Sequence, residues 1–352
     1  MNCPIGQEVE KIIMSILQTK DLTKVYTGGI RAVDGINFEV EEGEIFGFLG
    51  PNGAGKTTTI KMLNTLIPPT SGTATVAGFD VVKNPAEVRK RIGYTAQNVG
   101  VDERATGKEN LTLYGHFYRL NTKTIRQRLK DLFELVELTG AEDQMVSTYS
   151  GGMRKRLDLA MGLIHQPRLI FLDEPTTGLD PQTRASIWDH IRNLAKTMGV
   201  TIFLTTHYLD EADKLADRVA IIDHGKIMTI GTPKELKHTV GGDVVTISSD
   251  EEGSEASADF QQKARKALSG KDFVQQIQES NGSLAIIVAS GESAVPKIMR
   301  DLGAEGVEVQ TLTVSHPSLD DVFLKYTGRT IRAQEGTQTT FTQMRLRSNR
   351  RS

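Results

Sequence analysis

The stretch Gly50-Pro51-Asn52-Gly53-Ala54-Gly55-Lys56-Thr57-Thr58 decides the fold of this chain. It fits the pattern G-x-x-x-x-G-K-[ST], a glycine-rich turn between a buried strand and a helix. The apolar run Glu44 to Leu49 supplies the strand, and Thr58 to Leu66 supplies the helix. Glycines let main-chain amides approach a polyphosphate. Lys56 adds a point charge at its β and γ groups, and the Thr57 hydroxyl can meet a magnesium ion. The pattern therefore points to a nucleoside triphosphate, with every residue from Gly50 to Thr58 a candidate contact.

Outward from this loop, short apolar strands alternate with helical patterns. Ile45 to Leu49, Arg168 to Leu172, Thr201 to Thr205 and Val219 to Asp223 are branched and buried in character, as in a parallel sheet. Upstream, Met14 to Tyr26 and Ala32 to Glu41 are expected as two edge strands around the turn Thr27-Gly28-Gly29. Between Asn98 and Ser147 strands disappear, while Lys108 to Leu120 and Thr122 to Leu138 show helical spacing, so a helical insertion is expected over about 98–160. The fold class is α/β: a P-loop NTPase core with a mainly parallel sheet, an antiparallel β subdomain and a helical subdomain.

At 352 residues the chain suggests two domains, each able to bury a core. Residues 1–13 carry no pattern and form an N-terminal extension; 14–240 hold the nucleotide-binding domain, and the boundary lies near 235–243, at Gly241-Gly242. Beyond it come strand Val244 to Ser248, an acidic Ser-rich loop to Ser257, helix Ala258 to Leu268, and strands Phe273 to Glu279 and Leu284 to Ala289. Helix Ser293 to Leu302 and strand Val307 to Val314 complete the order βαββαβ, so 241–328 is expected as a small α+β domain of ferredoxin-like type. A last helix, Leu319 to Tyr326, has Ser318 as N-cap and Gly328 as stop. The tail 329–352 sets Arg332, Arg345, Arg347, Arg350 and Arg351 against Glu335 and is expected to be disordered: a solvated terminus, or a contact for anionic lipid or RNA.

Composition narrows the functions. Hydrophobic residues at 38% and charged residues at 24% describe a soluble chain, and no run reaches the roughly eighteen apolar residues of a membrane helix. With no signal-peptide pattern and one cysteine, Cys3, a reducing compartment is expected. Lys plus Arg number 42 against 44 Asp plus Glu, so the formal net charge of −2 offers no general attraction to nucleic acid.

Three further segments separate this chain from other phosphate-loop proteins. Leu169-Ile170-Phe171-Leu172-Asp173-Glu174 is an apolar strand ending in two carboxylates, at the edge where open α/β sheets bind ligands. Asp173 can hold the magnesium shell; Glu174 can orient and deprotonate an attacking water, although a strand-end acid can also simply face solvent. Ser150-Gly151-Gly152-Met153-Arg154-Lys155-Arg156 opens another helix with small residues and makes a second anion site. The third, His207 after the strand Thr201 to Thr205, reads by itself as a structural histidine.

Taken in order, the phosphate loop, Gln97, the Ser150-Gly151-Gly152 signature, Asp173-Glu174, Gly178-Leu179-Asp180 and His207 resemble the ATPase subunit of an ATP-binding cassette (ABC) transporter. The resemblance covers about residues 14 to 235 and implies ATP and Mg2+ as cofactors. It implies that Tyr26 stacks on adenine, where packing is the ordinary reading of a strand-end aromatic. It gives Gln97 a place between the metal site and the helical subdomain, Asp180 a place at a dimer interface, and His207 a contact to the γ-phosphate. Catalysis would fall to Glu174, His207 and Lys56, and metal binding to Thr57, Gln97 and Asp173. Ser150, Gly151 and Gly152 would face the phosphate loop of a second copy, so that two chains clamp two ATP molecules head to tail. Tyr149 and Met153 depart from the commonest signature, and with Arg154 to Ala160 they resemble the daunorubicin-resistance branch of exporter ATPases. Ser318-Leu319-Asp320-Asp321-Val322-Phe323-Leu324 resembles that branch's closing motif and equally fits a capped amphipathic helix.

The resemblance implies an ATPase subunit, a homodimer, that drives a separate membrane permease from the cytoplasmic face of the membrane. The helical insertion would be the contact surface and a drug, lipid or other hydrophobic molecule the exported cargo, with no nucleic acid partner. The alternative is a soluble ABC ATPase remodelling ribosomes or nucleic acid, opposed by the single phosphate loop and the lack of a long heptad insertion. Residues 241–328 could also serve as a regulatory ligand-binding module.

Overall fold

The structure, a computed structural model, describes residues 15–248, 255–280 and 283–328. The N-terminal extension, most of the acidic Ser-rich run and the basic tail lie outside the described residues. The chain divides into two compact units between Thr232 and Pro233, slightly ahead of the 235–243 stretch.

The first unit is built on a six-stranded sheet. Its strands are β3 (Ile45–Leu49), β6 (Ile92–Thr95), β7 (Leu169–Asp173), β8 (Thr201–Thr206), β9 (Arg218–Asp223) and β10 (Lys226–Gly231), in the order β10-β9-β3-β8-β7-β6. All pairs are parallel except β9 with β10, a hairpin across His224 and Gly225 that the sequence reading did not include. Alternation along each strand divides the side chains between two cores. Phe46, Phe48, Phe171 and Phe203 pack on one face with Phe38, ring centroids 5.4 to 6.0 Å apart. Ile45, Ile170, Leu172, Ile202 and Leu204 face the other, toward the helices.

A second, antiparallel sheet covers the phenylalanine face. It is ordered β2-β1-β4-β5, with β1 (Ser15–Val25), β2 (Arg31–Glu41), β4 (Ser71–Val76) and β5 (Phe79–Asp80). Strand β1 is therefore not an edge. Ser71 to Val76 takes its second side, with Leu17 opposite Val76, and one glycine and two threonines in that segment hide the strand from a hydrophobic pattern search.

The helices of this unit are α1 (Lys56–Leu63), α2 (Pro85–Arg89), α3 (Gly107–Phe117), α4 (Thr122–Leu135), α5 (Gly151–Leu163) and α6 (Pro181–Met198), with the short α7 (Leu209–Leu215) after β8. A capping box at Thr106 and Glu109 starts α3, and Asn121 caps α4 through the Thr124 amide. Leu111, Ile125, Leu129, Leu132 and Phe133 bury their apolar stripe with Leu157 and Met161 of α5, which makes the helical subdomain.

In the second unit β11 (Asp243–Ser248), α9 (Glu255–Leu268), β12 (Val274–Ser280), β13 (Ser283–Val288), α10 (Gly291–Ala304) and β14 (Thr311–Ser315) form an antiparallel sheet ordered β12-β13-β11-β14. Val245, Ile247, Leu284, Ile286 and Val288 alternate onto one face and bury Ala264, Leu268, Ile298 and Leu302 of the two helices. The helices α8 (Pro233–Val240) and α11 (Leu319–Thr327) pack together, and α11 has a capping box at Ser318 and Asp321 and a left-handed Gly328 at its end.

Candidate functional site

Strand register assembles the first group of side chains. Leu49 pairs with Thr206, Asp173 with Thr205, and Thr95 with Leu172. The chain leaves these strands at one edge, so Gly50, Gln97, Glu174 and His207 emerge side by side at the carboxyl ends of a parallel sheet, the usual ligand edge. The glycines of the loop answer two constraints. A Cβ on Gly50 would lie 2.3 Å from the Ile222 carbonyl oxygen, and Gly55 has φ +108, a left-handed backbone that a side chain resists.

Gly55 is also the N-cap of α1 and offers no capping side chain. The first-turn amides, Lys56 to Thr58, thus lack the acceptor that Ser, Thr or Asp would supply, and a phosphate at a helix start fits that need. Lys56, 4% exposed, donates from Nζ to the carbonyls of Gly50 and Pro51 at 2.7 and 3.1 Å, and stands 3.2 Å from Glu174 Oε1. Burial pulls its pKa down, against the opposing pull of the Glu174 carboxylate.

Glu174 is the hub. Burial pushes its carboxyl up, but a hydrogen bond from His207 and the charges of Lys56 and His207 outweigh burial and hold its pKa down at about 2. Oε2 accepts from Gln97 Nε2 at 3.1 Å and from the Thr177 hydroxyl at 3.2 Å, and lies 3.3 Å from His207 Nδ1. Its backbone has φ 49, rare for a residue with a side chain, and the Glu174 amide is pinned by the carbonyl and hydroxyl oxygens of Thr205, both 3.1 Å away. Thr205 also donates its hydroxyl to Asp173 Oδ1 at 2.6 Å, and the Thr57 hydroxyl donates to that same oxygen at 3.3 Å. A carboxylate oxygen beside a hydroxyl is an oxygen donor set that fits magnesium. Tyr26 is 39% exposed, its hydroxyl 3.5 Å from Thr58 Oγ1 and its ring centroid 5.6 Å from Lys24 Nζ.

The second group sits at two helix starts. Ser150 caps α5, accepting from the Met153 amide at 3.2 Å, and Asp180 caps α6, accepting from the amides of Gln182 and Thr183 at 3.2 and 3.0 Å. The two helix starts touch: a Cβ on Gly152 would lie 2.9 Å from Thr183 Cγ2, and one on Gly151 would lie 3.9 Å from Leu179 Cδ2. Ser150, Gly151 and Asp180 are exposed. Tyr149 is buried, with its hydroxyl donating to the Ala141 carbonyl at 2.6 Å, so the unusual first signature residue anchors the loop to the helical subdomain.

Sequence reasoning missed Thr205 and Thr177. The available signal was weak: Thr205 is the penultimate residue of the strand Thr201–Thr206, which is itself half threonine, and Thr177 lies in Pro175-Thr176-Thr177 just past the acids. It also missed Glu211, fully buried, whose Oε1 accepts from the Thr176 hydroxyl at 2.8 Å and the Trp188 Nε1 at 2.9 Å, tying the loop after Glu174 to α6 and α7.

A phosphate loop facing an acid pair, a glutamine and a histidine, with a second glycine-rich helix start, defines a cassette-type P-loop ATPase. Residues 33–177 match the family model "ABC transporter", and residues 231–327 match "ATP-binding protein DrrA1-3-like, C-terminal domain". The daunorubicin resistance ATP-binding protein DrrA2 of Streptomyces coeruleorubidus is 44% identical over 301 residues, 86% of this chain and 92% of that protein. DrrA of Streptomyces peucetius, a daunorubicin/doxorubicin resistance ATP-binding protein, is 43% identical over 312 residues, 89% and 92% of the two chains. Among solved structures, cbiO1 from Clostridium perfringens, part of the ABC transporter complex cbiONQ, superposes with a TM-score of 0.60 at 28% identity, covering 64% of this chain and 93% of that one. The chain belongs to the DrrA-like ATP-binding proteins of ABC transporters and is an ATPase coupled to transport.

Proposed function

We propose that this chain exports a drug or other hydrophobic cargo through a separate membrane-spanning permease, working as a head-to-tail pair of ATPase chains on the cytoplasmic face of the membrane. The observation that carries the reading is the division of the functional side chains into two groups. Lys56, Asp173, Glu174, Gln97 and His207 converge at the sheet edge, while Ser150, Gly151 and Asp180 sit exposed at helix starts whose capping bonds close on themselves. A second copy can complete each half, an isologous arrangement made partly of ligand. The relatives' names support drug export, and no helix among the described residues is long and apolar enough to cross a membrane.

In this reading Lys56 and the first-turn amides bind the phosphates, and Tyr26 stacks on the base. Glu174, ionised at neutral pH, accepts the proton of the attacking water, with Gln97 and Thr177 fixing its orientation and His207 contacting the γ-phosphate. Thr57, Asp173 and Gln97 would hold Mg2+, which neutralises charge on the phosphate oxygens. The test is co-expression with a candidate membrane permease, followed by ATP-driven daunorubicin uptake into inverted vesicles. Uptake that needs both chains, and is lost with Lys56→Ala, is expected. A chain that sediments with ribosomes and is never retained by membranes holding that permease would overturn the reading.

A further inference from the structure

Helix α5, which begins at the exposed Ser150 signature, carries a buried ion pair aimed at the loop that bears Gln97. Lys155 and Asp158, 4% and 5% exposed, stand one helical turn apart with Nζ and Oδ2 separated by 3.8 Å. Each also grips the loop's backbone. Lys155 Nζ donates to the Ala96 carbonyl at 3.4 Å, and Asp158 Oδ1 accepts from the Gly100 amide at 3.2 Å. Gln97 lies between these two tethers, and its Nε2 reaches Glu174 Oε2 at 3.1 Å.

Gly100 approaches both Asp158 and Tyr114, since a Cβ there would lie 3.6 Å from Asp158 Oδ1 and 3.4 Å from the Tyr114 hydroxyl. Leu157, Leu159, Ala160 and Met161 on either side of Asp158 are buried in the helical subdomain core. An apolar pair would pack α5 against these neighbours at least as well, because taking two charges out of water costs more than a mediocre ion pair returns. A polar pair is useful at this place for what apolar side chains cannot do: hold two backbone groups of a loop at fixed positions.

We propose that Lys155 and Asp158 are positioning residues that clip the Gln97 loop to the signature helix, so that a displacement of Ser150 to Gly152 is transmitted along α5 to Gln97 and on to Glu174. The path is contiguous: a rigid helix, two side-chain tethers on opposite ends of one loop, and one side-chain hydrogen bond to the hub of the site. It links the group of residues that meets a second copy with the group that handles this chain's own nucleotide. The proposal rests on the reading of Glu174 and Gln97 as hydrolytic residues and goes beyond it in naming what moves them.

The test uses the full chain with the double substitution Lys155→Met and Asp158→Leu, which removes both charges while keeping volume. Each single variant leaves a buried charge stranded, whereas the double variant is expected to recover the wild-type thermal midpoint. Its ATP affinity should stay unchanged while kcat falls about 10- to 100-fold, the effect of misplacing a group near the reacting atoms. In a Gln97→Ala background the same double substitution should lower kcat by less than about twofold, since the clip then has nothing to position. A second double variant, Lys155→Met with Asp158→Asn, strands no charge and keeps an oxygen acceptor for the Gly100 amide; should the first fold poorly, it is expected to lose kcat to a smaller extent at unchanged affinity. A folded double variant with wild-type kcat, or an equal kcat loss with and without Gln97, overturns the clip. Wild-type turnover by Gln97→Ala itself would instead remove Gln97 from the hydrolytic reading, and the proposal with it.

Discussion

Lys56 cannot serve a carboxylate and a phosphate equally, and Glu174→Gln measures that competition. The ammonium lies 3.2 Å from Glu174 Oε1 and also donates to the Gly50 and Pro51 carbonyls. Two unit charges at that separation attract by about 5 kcal/mol at an effective dielectric constant near 20. Desolvation offsets most of this. Because Lys56 keeps its two carbonyl partners in the variant, the net loss of its grip is about 1.5 kcal/mol, the lower end for a hydrogen bond to a charged group. Nucleotide binding must draw Nζ away from Glu174, so the variant starts from a weaker competitor. It should bind ADP about tenfold more tightly, the equivalent of about 1.4 kcal/mol. Turnover of ATP should fall by about 10²- to 10⁴-fold with the loss of the general base. Calorimetric titration with ADP isolates the competition, because ATP would add the association of two copies to the signal. In a Lys56→Ala background, which itself weakens nucleotide binding, Glu174→Gln should leave ADP affinity unchanged. Equal or weaker ADP binding by Glu174→Gln would refute the competition, and turnover within about twofold of wild type would remove Glu174 as the base.

Two further outcomes follow from other parts of the molecule. If two chains share each site, copies carrying Ser150→Arg and copies carrying Lys56→Ala should each be inactive alone, while their mixture regains nucleotide trapping at the one intact composite site; a mixture as dead as its components counts against the shared site. Ser150→Ala serves as control for the lost helix cap, which costs about 1 kcal/mol of stability without blocking the site. The second outcome concerns acid. His165 stacks on Tyr118 with centroids 3.6 Å apart and has Nε2 2.8 Å from the Ile92 carbonyl; burial, helped by the charge of Arg128, lowers its pKa from 6.5 to about 4 despite that hydrogen bond. The folded chain thus binds fewer protons than the unfolded one in this range. His165 contributes no penalty above pH 6.5, and stability falls as pH drops from 6.5 to about 4, by at most about 3 kcal/mol. Urea midpoints of wild type and His165→Gln at pH 7 and 4.5 test this. An equal fall in both proteins would exonerate His165.

The fold was legible wherever one segment carries both its pattern and its punctuation. Ile45 to Leu49 followed by Gly50 to Thr58 names strand, turn and helix without outside help, and Ser318 to Gly328 does the same for the last helix through its capping box and glycine stop. Ser71 to Val76 offered no such signal. Its burial alternates only at Ala74 and Val76, and it becomes a strand because β1 presents an open edge to it. Propensity there is weak, and pairing decides.

The site divides along the same line. By itself the sequence determined the chemistry on offer: an anion-cradling loop, adjacent carboxylates, a second glycine-rich helix start, and a histidine after an apolar strand. These are local facts, because each motif's donors and acceptors lie within a few residues of one another. Only the tertiary structure decided which partners those groups have. Thr205 meets Asp173 because parallel register sets them opposite each other, Lys56 meets Glu174 across two loops, and Lys155 and Asp158 hold Ala96 and Gly100 because α5 packs beneath that loop. Register and helix docking are set by burial of the apolar faces of the whole domain, and no short stretch of sequence contains that information.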